Sequence, residues 1–280
     1  MECLPMKIVF LGSGNVATHL SQALNHSMSD DVVQVYSPTV ENAKSLAELL
    51  SCRYCTDIND VDVNADIYIC SVKDSAQRQV WLALKKHFNE SGVNLADKIV
   101  VHTAGALAMD GEDGLSNVFP NCGVVYPVQS FSKQRSVDLS HTPFLIEATI
   151  PYTLEKLRRL VATVSDRCYE ATTRQRNALH PAAVFASNFA NHMYAIAHRL
   201  MEKNGLPFDI LIPLIQETAQ KVMEVTPVAA QTGPAVRGDE GVMSKQEKGL
   251  NEDGNETELE IYRLVSQNIQ KYRDEFQRKS

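Results

Sequence analysis

Residues 7–17, Lys-Ile-Val-Phe-Leu-Gly-Ser-Gly-Asn-Val-Ala, hold the first group whose types and spacing could do chemistry. An apolar run, Ile8 to Leu11, ends in Gly12-x-Gly14-x-x-Ala17, and apolar residues follow at helical spacing at Val16, Leu20 and Leu24. That is a strand, a tight turn and a helix start, the arrangement that seats a dinucleotide pyrophosphate. Gly12 permits the sharp turn, Gly14 leaves no side chain between backbone and phosphate, and Ala17 lets helix and strand pack closely. The helix start adds unpaired N–H groups and a partial positive charge. Gly12, Ser13, Gly14, Asn15 and Val16 are therefore the expected phosphate contacts.

Which dinucleotide sits there is read at the end of the second strand, where an NAD site usually carries Asp or Glu for the ribose hydroxyls. Here the chain runs Val35-Tyr36-Ser37-Pro38-Thr39, with no carboxylate until Glu41. Hydroxyls at Ser37 and Thr39, with Lys44 nearby, suit a 2′-phosphate, so NADP is expected over NAD. Later strand exits complete the cofactor cleft. Ser71 and Val72 follow one, and His102-Thr103-Ala104-Gly105 ends the next. His102 either touches substrate or nicotinamide, or is a structural histidine bonded within its loop. Tyr126-Pro127-Val128-Gln129-Ser130 leaves the strand after that and is expected to close the substrate pocket.

Two further groups are candidates for catalysis and substrate binding. Residues 177–198 contain no Asp, Glu, Lys or Arg. At about 100° per residue, Phe185, Ala186, Phe189, Ala190 and Met193 share one helix face. Asn177, His180, Ser187, Asn188, Asn191 and His192 share the other, which predicts burial with the polar groups satisfied. That face either bonds across a helix or dimer interface, or reaches the nicotinamide with its first turn, where His180 and Pro181 would lie. Reducing a carbonyl leaves charge on oxygen that a proton donor must neutralise, and His titrates near neutral pH. His180 is the candidate donor, and Asn188 a candidate to hold a substrate carboxylate or carbonyl. The second group is Thr232-Gly-Pro-Ala-Val-Arg237-Gly-Asp239, where a tight loop presents the bidentate fork that carboxylates favour. The plainer reading there is an Arg237–Asp239 pair.

The elements that must position these groups alternate over the first part of the chain. Strands read at 7–11, 32–36, 66–72, 98–103, 122–126, 143–148 and 167–171, with a short one near Tyr54. Helices read at 16–25, 41–50, 76–88 and 152–164. Strands apolar on both faces, such as Ile67-Tyr-Ile-Cys70, belong in a parallel sheet covered by helices. The fold expected for 1–171 is a doubly wound α/β domain, with ligands at the carboxyl ends of its strands. From 172 to 280 the pattern is helical, at 177–203, about 209–225 and 258–278. Thr232 to Thr257 reads as a structured loop at the site or a mobile insert.

Bulk properties set outer limits. Two domains suit a chain of 280 residues, and 44% hydrophobic with 22% charged residues is ordinary globular composition. A formal net charge of −7 leaves no basic surplus for a nucleic acid. No apolar run reaches the ~18–20 residues that span a bilayer, and Met1 to Met6 is too short and mixed for a signal peptide, so a cytoplasmic setting is expected. The six cysteines (Cys3, Cys52, Cys55, Cys70, Cys122 and Cys168) are too scattered for a disulfide framework. Cys52-x-x-Cys55 has no second pair to complete a zinc site and reads as two ordinary thiols.

Together, Leu11-Gly-Ser-Gly-Asn-Val-Ala17, His102-Thr-Ala-Gly105, Tyr126-Pro-Val-Gln-Ser-Phe131, Ala178-Leu-His-Pro-Ala-Ala-Val-Phe-Ala-Ser-Asn188 and Thr232 to Asp239 resemble a family of oxidoreductases. Its members join an NADP-type Rossmann domain to a helical domain of unknown function. More distantly the chain is similar to ketopantoate reductase, pyrroline-carboxylate reductase and hydroxyacid dehydrogenases. The resemblance implies an NADPH-dependent reductase of a small carboxylic acid, ketopantoate first, working as a homodimer through the helical domain. Ketopantoate and hydroxyacid enzymes use a Lys on the first helix of that domain. No Lys lies between Lys156 and Lys203 here, so His180 or another group must give the proton. An imine substrate of pyrroline type, already protonated, would need no strong acid. A protein that senses NADP(H) without turnover is the alternative from another class.

Overall fold

The computed structural model describes residues 5–26, 30–252 and 254–279, so Cys3 lies outside the described residues. Ile8, Val9, Phe10 and Leu11 have no exposed surface, which makes β1 (Lys7–Leu11) a strand covered on both faces. It pairs in parallel with β2 (Asp31–Tyr36) on one side and β4 (Ile67–Cys70) on the other. With β3 (Arg53–Cys55), β5 (Ile99–His102), β6 (Cys122–Pro127), β7 (Phe144–Ala148) and β8 (Cys168–Glu170), the sheet runs β3-β2-β1-β4-β5-β6-β7-β8. Every neighbouring pair is parallel except β6 with β7. Strand order reverses at β1, so the crevice at its carboxyl end is the switch point where such sheets bind ligands.

Alternate side chains of β1 feed two cores. Ile8 and Phe10 pack with Leu20 and Leu24 of α1 (Asn15–His26), Leu46 of α2 (Val40–Leu50) and Leu157 of α4 (Pro151–Ala162). Val9 and Leu11 pack on the opposite face with Trp81, Leu84 and Phe88 of α3 (Asp74–Glu90). The doubly wound fold is the one the strand and helix pattern predicts. Observed strands differ from the expected ones only at their ends.

The chain separates into two compact units, residues 1–188 and 189–280. The expected division at 171/172 thus falls earlier than the observed one, because α5 (Thr173–Ala183) packs against the sheet's own loops. The second unit contains α6 (Ala190–Lys203), α7 (Ile212–Glu224), α8 (Pro227–Ala230), α9 (Pro234–Arg237), α10 (Glu240–Glu252) and α11 (Glu256–Lys279). Thr232 to Thr257 is therefore largely helix and not a loop or insert. Gly241 and Gly249 sit within α10, and among the described residues of this stretch only Gly233, Gly238 and Gly254 use the left-handed φ region that ends or turns a chain. Tyr262 donates to Gln246 and Arg263 pairs with Glu247, tying α11 to α10, while Arg199 of α6 pairs with Glu258. Among the described residues no helix is long and apolar enough to cross a membrane.

Candidate functional site

The turn after β1 is built around Gly12. Its φ is +116°, and a Cβ there would lie 2.9 Å from the carbonyl carbon and oxygen of Ser71. Gly12 N–H donates to Tyr36 at 2.8 Å and Ser71 N–H to Leu11 at 2.8 Å, locking three strand exits together. Gly14 differs. A Cβ there would approach nothing but the Ser71 oxygen, at 3.8 Å. The protein's own packing does not need that glycine; the open volume beside it does. Thr18 N–H makes the first helical bond, to Gly14 O, so the amides of Asn15, Val16 and Ala17 lack helical acceptors. Bare space over unpaired amides fits a pyrophosphate.

A cavity of about 1250 Å³ extends from this turn past Ser37, Thr39, Ser71 and Lys73, more than most small-molecule pockets offer and enough for an extended nucleotide. Ser13 Oγ donates to Ser37 Oγ at 2.9 Å, so the Ser37 hydroxyl is held at the cradle rim. Thr39 stands at the start of α2 with no side-chain capping bond. Lys44 lies 3.8 Å from Glu48 on the exposed face of α2. One carboxylate does line the cavity: Asp57, which accepts from the Asn59 backbone and side chain. On the β4 and β5 side, Thr103 Oγ1 donates to Ser71 Oγ at 3.1 Å.

Sequence reasoning missed the strap over this cradle. Asn15 Nδ2 donates to Phe131 O at 2.9 Å, His19 Nε2 lies 2.9 Å from Ser132 O, and the His19 and Phe131 rings stack. The segment leaving β6 is thereby fastened to the first turns of α1. His19, one turn after Asn15 on the same helix face, was the available signal.

His102 is corrected from a catalytic candidate to a structural residue. It has no exposed surface, its Nδ1 accepts from Ala104 N–H at 3.2 Å, and its ring stacks on Trp81. Burial, with the Arg176 charge adding to it, holds its pKa down at about 3 against the usual 6.5. It is neutral at physiological pH and gives up no proton there. Since the unfolded chain takes that proton more readily, His102 contributes its full stability above about pH 6.5 and loses it as pH falls toward 3. Denaturant titrations across that window are expected to show the decline, and His102→Asn, which keeps an acceptor for Ala104, to flatten it. The Cys52 and Cys55 thiols are likewise not reactive: burial pushes them up to about 11 and about 12.

His180 does reach the carboxyl end of the sheet, by a route the uncharged run does not disclose. The helix starts four residues before Asn177, at a Thr172-x-x-Gln175 capping box that serves both orphan donors. His180 and Pro181 therefore lie near the end of α5, not in its first turn. Pro181 offers no N–H to Asn177, and the ladder re-registers as a π-helical turn over Val184–Phe189. Asn188 lies in that turn and is exposed. One turn before His180 sits Arg176, fully buried. Its Nη2 donates to Glu147 at 2.8 Å, to Thr173 Oγ1 at 3.0 Å and to Leu107 O at 3.3 Å. Glu147 also accepts the Thr173 N–H at the helix start. Nothing in the composition of residues 177–198 pointed to Arg176 or Glu147. With α5 so anchored, His180 Nδ1 lies 3.4 Å from the Tyr126 hydroxyl at the end of β6.

Within the single chain the uncharged run is not buried. Phe185 is 68% and Phe189 48% exposed, and Asn177, Ser187, Asn188, Asn191 and His192 are also exposed. Thr232 and Arg237 belong to the second unit. Gly233 at φ +111° and Gly238 at +71° bracket α9, which presents Arg237 to solvent. Asp239 does not take the role of its partner; its Oδ1 accepts from Val242 N–H and caps α10.

Comparison with known proteins agrees with this anatomy. Residues 7–104 match the model for "NADP oxidoreductase coenzyme F420-dependent", and residues 142–269 match a domain of unknown function, DUF2520. No match was found among curated proteins. The solved "putative NADP oxidoreductase BF3122" of Bacteroides fragilis is 41% identical, with 95% of this chain and 98% of that one covered and a TM-score of 0.85. Protein TM1727 of Thermotoga maritima is 20% identical over 96% and 99% of the two chains, TM-score 0.67. Pyrroline carboxylate reductase of Plasmodium falciparum, solved with NADP bound, shares the fold at 12% identity over 95% and 98%, TM-score 0.59. With its Gly12–Ala17 cradle, its mostly parallel eight-stranded sheet and its helical C-terminal region, the chain belongs to the family of NADP oxidoreductases that join a Rossmann-like domain to DUF2520.

Proposed function

We propose that this protein is a cytoplasmic NADPH-dependent reductase of a small 2-oxo or imino acid. The observation that carries the reading is the open space over Gly14 and the unpaired amides of α1, in the same unit as a histidine at the sheet's carboxyl end. Asn15, Val16 and Ala17 hold the pyrophosphate, Ser37 and Thr39 the 2′-phosphate, and Ser71, Val72 and Thr103 flank the nicotinamide. When bound, the cofactor supplies a hydride. His180 gives the proton to the carbonyl oxygen or imine nitrogen, while Asn188 of the same unit holds the substrate carboxylate. Ketopantoate is the first substrate to assay. Pyrroline-5-carboxylate is the second, because this chain lacks a lysine between Lys156 and Lys203 and a protonated imine needs only a weak acid.

Purified protein is expected to oxidise NADPH with one of these two substrates, and NADH more slowly. Tight NADPH binding without turnover on either, or on related 2-oxo and imino acids, would replace the enzyme with a sensor of the nucleotide.

A homodimer through the helical region is part of the proposal. Among the described residues of the second unit only Ala235, Leu259 and Ser266 are buried, while Leu214 is 62% and Met223 76% exposed. A unit this small with so little interior needs further cover. Light scattering is expected to give twice the chain mass, and a monomer at micromolar concentration would refute the dimer.

A further inference from the structure

His180 has a companion in Tyr126. The two come from different elements, β6 and α5, and meet with ring centroids 6.3 Å apart and the hydroxyl 3.4 Å from Nδ1. Both rest on one residue of the β5 exit. A Cβ on Gly105 would lie 2.7 Å from Tyr126 Cζ and 2.9 Å from His180 Nδ1, distances real side chains do not adopt. Any larger residue at 105 would therefore push one of the two rings out of this contact. Burial raises the Tyr126 pKa, so the phenol keeps its proton at neutral pH.

We infer that Tyr126 is the positioning residue for His180, fixing its ring and its tautomer, with Gly105 as the floor beneath both. The inference rests on His180 being the proton donor. A phenol hydroxyl suits the task because its oxygen accepts a hydrogen bond without carrying a charge. It accepts from Nδ1–H of the imidazolium and again from Nδ1–H of the neutral ring left once Nε2 has given up its proton. The ring keeps one orientation through a proton cycle, and Nε2 is the nitrogen that gives its proton away and takes it back from water. A carboxylate in the same place would add a charge that favours the imidazolium; the phenol adds none. Arg176 and Glu147 fix α5 one turn earlier, so the contact does not depend on the fraying of a helix end.

The test has a readout that needs no cofactor. In the apo protein with 15N-labelled histidine, the neutral His180 ring is expected as the Nδ1–H tautomer, and Tyr126→Phe to shift it toward Nε2–H. The same variant should lower kcat about ten- to hundredfold and move its pH profile, with KM for NADPH unchanged. Should Tyr126→Phe unfold, replacing tyrosine throughout with 3-fluorotyrosine keeps the fold, and the His180 Nδ1 resonance is then expected to move with the more acidic phenol. An unchanged tautomer and pH profile in Tyr126→Phe, or an unmoved Nδ1 resonance with fluorotyrosine, overturns the inference while leaving His180 as donor if His180→Gln abolishes turnover. Full turnover in His180→Gln instead removes the donor assignment, and the tautomer measurement then stands alone.

Discussion

Gly12→Ala is expected to destabilise the protein by roughly 2–5 kcal/mol, whereas Gly14→Ala should leave its unfolding midpoint unchanged and still weaken NADPH binding by at least about tenfold. The contrast follows from what each absent side chain would meet. At Gly12 a methyl group collides with the main chain of Ser71 and occupies a φ of +116° that alanine avoids. Neither obstacle can move, since Ser71 and Gly12 are each bonded to a neighbouring strand. At Gly14 the methyl enters open space, so folding is indifferent, but the space is the one a diphosphate must fill. Thermal unfolding and calorimetric titration on both variants separate the two effects. Wild-type affinity in Gly14→Ala would place the nucleotide elsewhere.

Breaking the Arg176–Glu147 pair should be the costliest side-chain change in the first unit. Arg176→Met leaves the Glu147 carboxylate largely buried with only Thr173 to satisfy it, and one-sided loss of such a pair costs roughly 3–5 kcal/mol. Arg176→Met with Glu147→Gln should recover much of that, because a neutral amide can still accept the Thr173 N–H while no charge is stranded. A double-mutant cycle in denaturant reads the coupling directly. If the single variant lost less than about 1 kcal/mol, α5 would be held by something other than this pair.

The sheet was legible because its strands are apolar on both faces: Ile67 to Cys70 and Ile99 to Val101 admit few other placements. The cradle was legible because main-chain geometry dictates its glycines. What the pattern hid was polar and tertiary. His102 and His180 both follow from strand or helix position as candidates, and only burial tells a neutral core imidazole from one half open beside a phenol. The capping box at Thr172 was readable but lay upstream of the uncharged run that drew attention. Between 232 and 257, Gly233-Pro234 and Gly238-Asp239 read as loop punctuation, although the Glu, Met, Lys and Gln of α10 favour helix.

The segment that leaves β6 carries Tyr126 at one end and, a few residues on, the Phe131 and Ser132 carbonyls that Asn15 and His19 grip. A single short tether thus joins the Gly12–Ala17 turn to the ring of His180. On the proposed function, seating the nucleotide and orienting the ring would be linked through those few residues.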